Sequence, residues 1–257
     1  VKRVLGYAVF AVVVYVVFLL TTFPADRAYA ILKGRLPPQV QLYGLEGSVW
    51  HGRAQVAQLG RYRVAPLSWQ YRPLALLTGR VAVKVAMERG AGRASAVVGL
   101  SRGGNVRLTD VDVALPADEV VDLLRLPVIQ VNGAVNARLD SLLLQAGHVT
   151  AVDGTLSWDQ AQVIRPQPLQ LGGLEAKFDT KDGAVKGTLR DKGGPLLVDG
   201  IVTLKGDGSY QVNANVGTRD NTQPALNRII NSMGRQGPGG KVQVNYIGRM
   251  PPLAATF

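Results

Sequence analysis

The sequence predicts a mainly β protein, in which an N-terminal transmembrane helix leads into curved antiparallel sheet with two short packed helices. Three observations predict it. Residues 4–25 carry no charged side chain. Beyond residue 39, run after run places its larger apolar residues at every second position, as half-buried strands require. Asp-Gly and Gly-Gly steps separate several of these runs and supply the positive φ of tight hairpins.

The first segment has an almost wholly apolar centre, with Phe10, Val14, Phe18 and Leu19 as anchoring side chains. A helix rising ~1.5 Å per residue crosses a ~30 Å hydrocarbon core with about twenty residues, so 4–25 is long enough. Lys2 and Arg3 precede it on a tail too short to hold anything else, which keeps residues 1–3 in the cytoplasm and exports the chain beyond about residue 26. Arg27, Lys33 and Arg35 form a competing positive flank. A cleaved signal peptide is the rival reading, because Ala28-Tyr29-Ala30 has the small-x-small form of a processing site. Its apolar region would normally be only about 7 to 15 residues, and Asp26 and Arg27 would fall inside the recognition stretch. An uncleaved, single-pass inner-membrane anchor is therefore expected. It is followed by a membrane-proximal segment, 26–38, and a periplasmic β domain, 39–257.

An amphipathic stretch at 25–36 continues from the membrane as a helix and stops before Pro37-Pro38. Strands are expected at 39–42, 49–59, 79–87, 95–100, 106–115, 131–144, 150–163, 173–178, 184–189, 196–204, 210–216 and 241–247. In the third of these, Val81, Val83, Val85 and Met87 share one face. In 106–115 the apolar phase shifts from Val106 and Leu108 to Val111, Val113 and Leu115, which a β-bulge near Thr109-Asp110 would produce. The steps Gly103-Gly104, Asp182-Gly183, Gly193-Gly194 and Asp207-Gly208 mark turns, and an antiparallel meander follows.

Two helices interrupt it. Residues 116–126 open Pro-Ala-Asp-Glu, with acids in the first turn and Val120, Val121, Leu123 and Leu124 on an apolar side. Residues 222–233 have Thr222 as cap, Pro224 in the first turn, apolar Leu226, Ile229, Ile230 and Met233, and Gly234 as stop. An internal echo links 46–56 with 153–163: acid, Gly, hydroxyl, aliphatic, Trp, then Ala-Gln-Val. Either the domain has two related halves, 39–126 and 127–250, or a β protein has reused the same turn chemistry.

Without Lys2 and Arg3 the chain keeps 27 Lys and Arg against 18 Asp and Glu. Such a balance suits nucleic acid, anionic headgroups or an acidic partner. The charges are scattered singly, with few aromatics among them, and the domain faces away from DNA, so no nucleic-acid partner is expected. The absence of cysteine excludes thiolate metal sites, cysteine nucleophiles and thiol redox chemistry.

No catalytic, cofactor or metal site is expected, and no small-molecule substrate. His51 and His148, the only histidines, are each flanked by glycine at a strand start or hairpin and read as exposed or locally bonded. Asp110 and Asp112 fall on one strand face unless the bulge parts them, too few oxygens for a calcium or magnesium cage. There is no Gly-x-Ser-x-Gly elbow, phosphate loop or His-Glu-x-x-His helix. Trp50, Trp69 and Trp158 are expected on strands, as core fillers with bonded N–H groups or as the lining of a groove for a lipid chain or a partner strand.

Taken in order, Gly47-Ser48-Val49-Trp50-x-Gly52-x-Ala54, Leu67-Ser68-Trp69 with Pro73-Leu74 and Gly79, Gly154-Thr155-Leu156-Ser157-Trp158, Leu189-x-Asp191-x-Gly193-Gly194, Val198-Asp199-Gly200 and Gly208-x-Tyr210 give the chain its resemblance to the type II secretion system protein N family. It extends over nearly the whole length and lies in the succession of features rather than in one motif. The resemblance implies an accessory inner-membrane component of the machine that exports folded proteins across the outer membrane, with other type II secretion components as partners. It implies no reaction, cofactor or catalytic residue. Edge strands of the β domain could recruit another chain by strand addition, which makes a scaffold without chemistry. The alternative is a membrane-anchored lipid-binding or lipid-carrier protein, whose curved sheet holds acyl chains in an apolar trough.

Overall fold

The computed structural model describes residues 7, 22–34, 40–59, 62–64, 66–73, 81–100, 105–124, 130–220, 223–234, 237 and 240–250. Fourteen strands form one antiparallel sheet that keeps chain order. They are β1 (Val40–Gly47), β2 (His51–Leu59), β3 (Tyr62–Val64), β4 (Leu67–Tyr71), β5 (Val81–Arg89), β6 (Gly92–Leu100), β7 (Val106–Pro116), β8 (Gln130–Gln145), β9 (His148–Arg165), β10 (Leu169–Lys181), β11 (Ala184–Asp191), β12 (Leu196–Lys205), β13 (Ser209–Thr218) and β14 (Val242–Arg249). Only the short β3 stands off this path, paired to β2. Three helices accompany the sheet among the described residues: α1 (Ala25–Leu32), α2 (Ala117–Leu124) and α3 (Pro224–Ser232).

Phe10, Val14, Phe18 and Leu19 lie outside the described residues, and among those described no helix is long and apolar enough to cross a membrane. Pro24 bridges Ser48, the Val49 N–H donates to the Phe23 carbonyl, and Ala25 is buried at the start of α1, so Phe23 to Ala25 lie against the β1–β2 turn.

The hairpins follow turn chemistry. Between β10 and β11 Asp182 (φ 53) and Gly183 (φ 72) form a two-residue turn with positive φ at both places, the geometry Asp-Gly favours. Asp110 takes φ 51, and the β6–β7 register slips between Ser95/Asp112 and Val97/Thr109, which places the bulge at the expected phase shift. Two expectations need correction, one of a strand and one of a helix cap. Trp50 is not on a strand, because the β1–β2 turn occupies 48–50 and β2 begins at His51. Thr222 lies outside the described residues. The cap of α3 is Gln223, and its side chain bonds both backbone groups of Gln170 rather than the helix.

Directly opposed residues share a face. One line across the sheet runs Tyr71, Val83, Val98, Leu108, Leu142, Val152, and another runs Ala137, Leu156, Ala176, Leu189, Gly200, Ala214, Val244. The line Asp112, Arg138, Thr155, Lys177, Thr188, Ile201, Asn213, Asn245 is, apart from Ile201, polar. The sheet therefore has one apolar and one polar face.

It is also bent. Register shifts on β8, β9 and β10, with Gln160 at φ 51 and Gly172 at φ 97, kink successive strands. Cα atoms of β9 and β12, three places apart, approach within 8 Å, where a flat sheet would hold them about 14 Å apart. Side chains of the apolar face fill the curl. Val152, Val185 and Leu204 form one buried cluster with Leu139, Phe178 and Tyr210 around it. At the other ends of these strands α3 lays Leu226 and Ile230 on Leu169, Leu196 and Val242.

Candidate functional site

A Ser–His contact among the described residues is a turn. Ser48 Oγ lies 3.3 Å from His51 Nδ1, but the serine is 6% exposed and its oxygen accepts the N–H groups of Trp50 and His51, each at 3.3 Å. Glu46, the nearest acid in sequence, accepts instead from Gln55 at 3.1 Å. A hydroxyl committed to backbone donors, beside an imidazole with no orienting acid, caps a corner and does not make a nucleophile.

His148 departs from the expectation of an exposed or bonded residue. It is half-buried, with a ring nitrogen against Gly208, and its Nδ1 has no hydrogen bond among the described residues. The curl of the sheet brings the β12–β13 hairpin over it, a long-range event that local glycines do not announce. Asp110 and Asp112 are parted by the bulge, towards Arg72 (3.8 Å) and Arg138 (3.9 Å) respectively. The described residues contain no cluster of three or more metal-ligating side chains.

The tryptophans lie where the apolar face meets turns. Trp69 and Trp158 are half-buried and donate their indole N–H to the carbonyls of Val49 and Asn132, each at 3.1 Å. Trp50 packs edge-on against Tyr71 with ring centroids 4.7 Å apart. None of the three is enclosed as a core filler would be. The three do not converge on one site: Trp50 and Trp69 stand near β4, Trp158 on β9.

Two depressions open on the polar face. One, of about 630 Å³, is lined by Glu46, His51, Arg53, Ser68, Gln70 and Lys84 among others. The other, of about 450 Å³, holds a network on Asp159. Its carboxylate accepts from Asn136 (3.0 Å) and Ser157 (3.2 Å) and pairs with Lys192 at 3.2 Å. Burial raises its pKa, yet the Lys192 contact and the two neutral donors outweigh that and hold Asp159 below the ordinary carboxylate value. A stably ionised, paired carboxylate ties β8, β9 and the segment after β11 together and is poorly suited to proton transfer.

The sheet's two ends differ. Along β1 the Leu42 N–H donates to the Tyr29 hydroxyl of α1 at 3.2 Å and Pro24 bridges Ser48 just beyond it, so α1 lies against part of this edge. At the other end β14 pairs with β13 alone among the described residues. Met250 N–H donates to Gly208 O, so alternation directs the even-numbered N–H groups of β14 to β13 and those of Gln243, Asn245, Ile247 and Arg249 outward. Tyr246 is 58% and Ile247 71% exposed. Sequence reasoning foresaw free edges but had no means to tell which one α1 lies against.

The residues that carry the sequence resemblance build turns and packing. Asp191 accepts from Gly193 N–H and Arg219, whose Nε donates to Gly194 O, closing the β11–β12 turn. The sequence model described as type II secretion system (T2SS), protein N, matches residues 38–245. Curated relatives include type II secretion system protein N of Vibrio cholerae serotype O1, 27% identical over 83% of this chain and 85% of the relative. The protein of that name from Aeromonas hydrophila is 26% identical over 97% and 99%. No solved structure matches the chain.

Proposed function

Because the chain belongs to the type II secretion system protein N family, we propose that it serves the type II secretion machinery as an accessory, non-catalytic component. It acts as a scaffold, held at the inner membrane by residues 4–25 with its sheet in the periplasm. The observation that carries this reading is the edge of β14, which among the described residues pairs with no second strand, with its row of outward N–H and C=O groups and exposed Tyr246 and Ile247. Such an edge takes an added strand of another chain, and main-chain hydrogen bonds supply the affinity. With α1 against part of β1, the scaffold recruits through β14, at the opposite end of the strand order.

The reading is tested by Asn245→Pro, which removes one outward N–H while leaving the even-numbered bonds to β13 in place. The expected result is loss of secretion components from crosslinked membrane pull-downs, with unchanged abundance and β-type circular dichroism. Undiminished capture by the folded variant would remove β14 as the contact. Replacing His51 or Asp112 by alanine should leave both capture and secretion intact.

A further inference from the structure

We propose that the apolar face of β1–β7 binds the acyl chains of an anionic phospholipid. The face is continuous across these strands: Trp69 opposes Val85, Tyr71 opposes Val83, Val83 opposes Val98, and Val98 opposes Leu108. Among the described residues α1 touches β1 and α2 touches β7, and both buried apolar clusters lie between residues 139 and 242, away from β2 to β6. In β1–β7, by contrast, the buried apolar residues are three alanines, Val97 and Leu115, while Tyr43 is 52% and Leu100 53% exposed.

What covers the face is indicated by three further features. The face carries mainly apolar side chains, and the Trp69 N–H on it is already given to Val49. A peptide laid there would leave its backbone groups unpaired, whereas a hydrocarbon chain has none to satisfy. Charge is the second feature: residues 40–116 contain ten Lys and Arg against four acids, Glu46, Glu88, Asp110 and Asp112, while 130–250 are nearly balanced at thirteen against ten. That local excess favours an anionic headgroup. Position and length are the third. The strand ends that carry Arg72 and Arg107 are those where Phe23 and Pro24 enter the fold, directly after the uncharged segment. From there β1, β2, β4, β5, β6 and β7 extend about 24 Å at the usual strand spacing, more than the ~15 Å that chains reach in one leaflet.

The inference does not depend on the β14 edge and is tested separately. A photo-crosslinking residue is placed in the full-length chain, in native membranes, at Val85 or Leu100 on the apolar face and at Lys84 on the opposite face. After irradiation the intact mass of the purified protein is read. Phospholipid adducts at least fivefold more abundant at 85 and 100 than at 84, and enriched in phosphatidylglycerol over phosphatidylethanolamine relative to the membrane, are expected. Leu100 is exposed, so a probe there disturbs little packing. A protein adduct at 85 and 100, equal lipid labelling at 84, no headgroup preference, or no adduct from a normally abundant protein would each overturn the proposal.

Discussion

On the apolar face aromatic rings lie over glycines of the adjacent strand, among them Trp69 over Gly52, Phe178 over Gly187 and Tyr210 over Gly248. A Cβ built on Gly187 would lie 2.6 Å from the Phe178 ring, so Gly187→Ala must displace it within a buried position. The expected cost is about 1–3 kcal/mol in urea unfolding. Gly183→Ala is the control. Its φ of +72 is unfavourable to alanine, yet no atom lies within 4 Å, so only backbone strain of about 1 kcal/mol is expected. Asp159 tests the polar face. Its carboxylate is held below the ordinary 3.8, so its contribution is present above that value and is lost as pH falls through the depressed folded pKa. Asp159→Asn should therefore lower stability at pH 7 and become equivalent to the parent in strong acid. The pair with Lys192 is about 40% exposed, which limits the loss to about 1 kcal/mol or less. The sequence revealed little at this scale. The ring-over-glycine pairs and the environment of His148 depend on which strands become neighbours, and no local pattern encodes that.

Most of the elements were legible because alternation and turn residues are local. The strand ends moved where alternation breaks. The run expected at 173–178 extends to Leu169–Lys181, because the bulge at Gly172 shifts the apolar phase and hides the first residues. The sequence places Trp50 in a strand because an aromatic beside alternating residues resembles one, whereas the Ser48 hydroxyl holds a corner there. In the echo, 46–56 turn from β1 into β2 while 153–163 lie wholly within β9, so similar residues occupy different structures. Helix α3 was readable from Leu226, Ile229 and Ile230 at helical spacing, with Pro224 in the first turn. What the spacing could not give is its role as the cover of Leu169, Leu196 and Val242. Ile230 is 3% exposed at that contact, and Ile230→Ala should cost about 2–5 kcal/mol, measured by chemical denaturation. Ser232→Ala, on the exposed side of the same helix, should change stability by no more than about 0.5 kcal/mol.

For the whole molecule, strand order equal to chain order makes the sheet a nearly one-dimensional array, in which each strand gains most from its two neighbours. A meander was legible from the sequence, but the uneven distribution of its core was not, since apolar alternation looks alike in both parts. In β9–β13 the curl and α3 bury Val152, Val185, Leu196 and Leu204, whereas β4–β6 have ladder hydrogen bonds and a face left partly open to solvent. Local stability follows burial, so opening should be cheaper in β4–β6. Native-state hydrogen exchange of the full chain should find amides of β5 and β6 exchanging through local opening, with protection at least tenfold below that of β11 and β12. A tenfold difference corresponds to about 1.4 kcal/mol between the two openings. Because the sheet is continuous through β7 and β8, an entirely uniform protection pattern would mean that it opens as a single unit. The partly open face would then be as rigid as the curled one, and the distribution of buried side chains would not govern how the array comes apart.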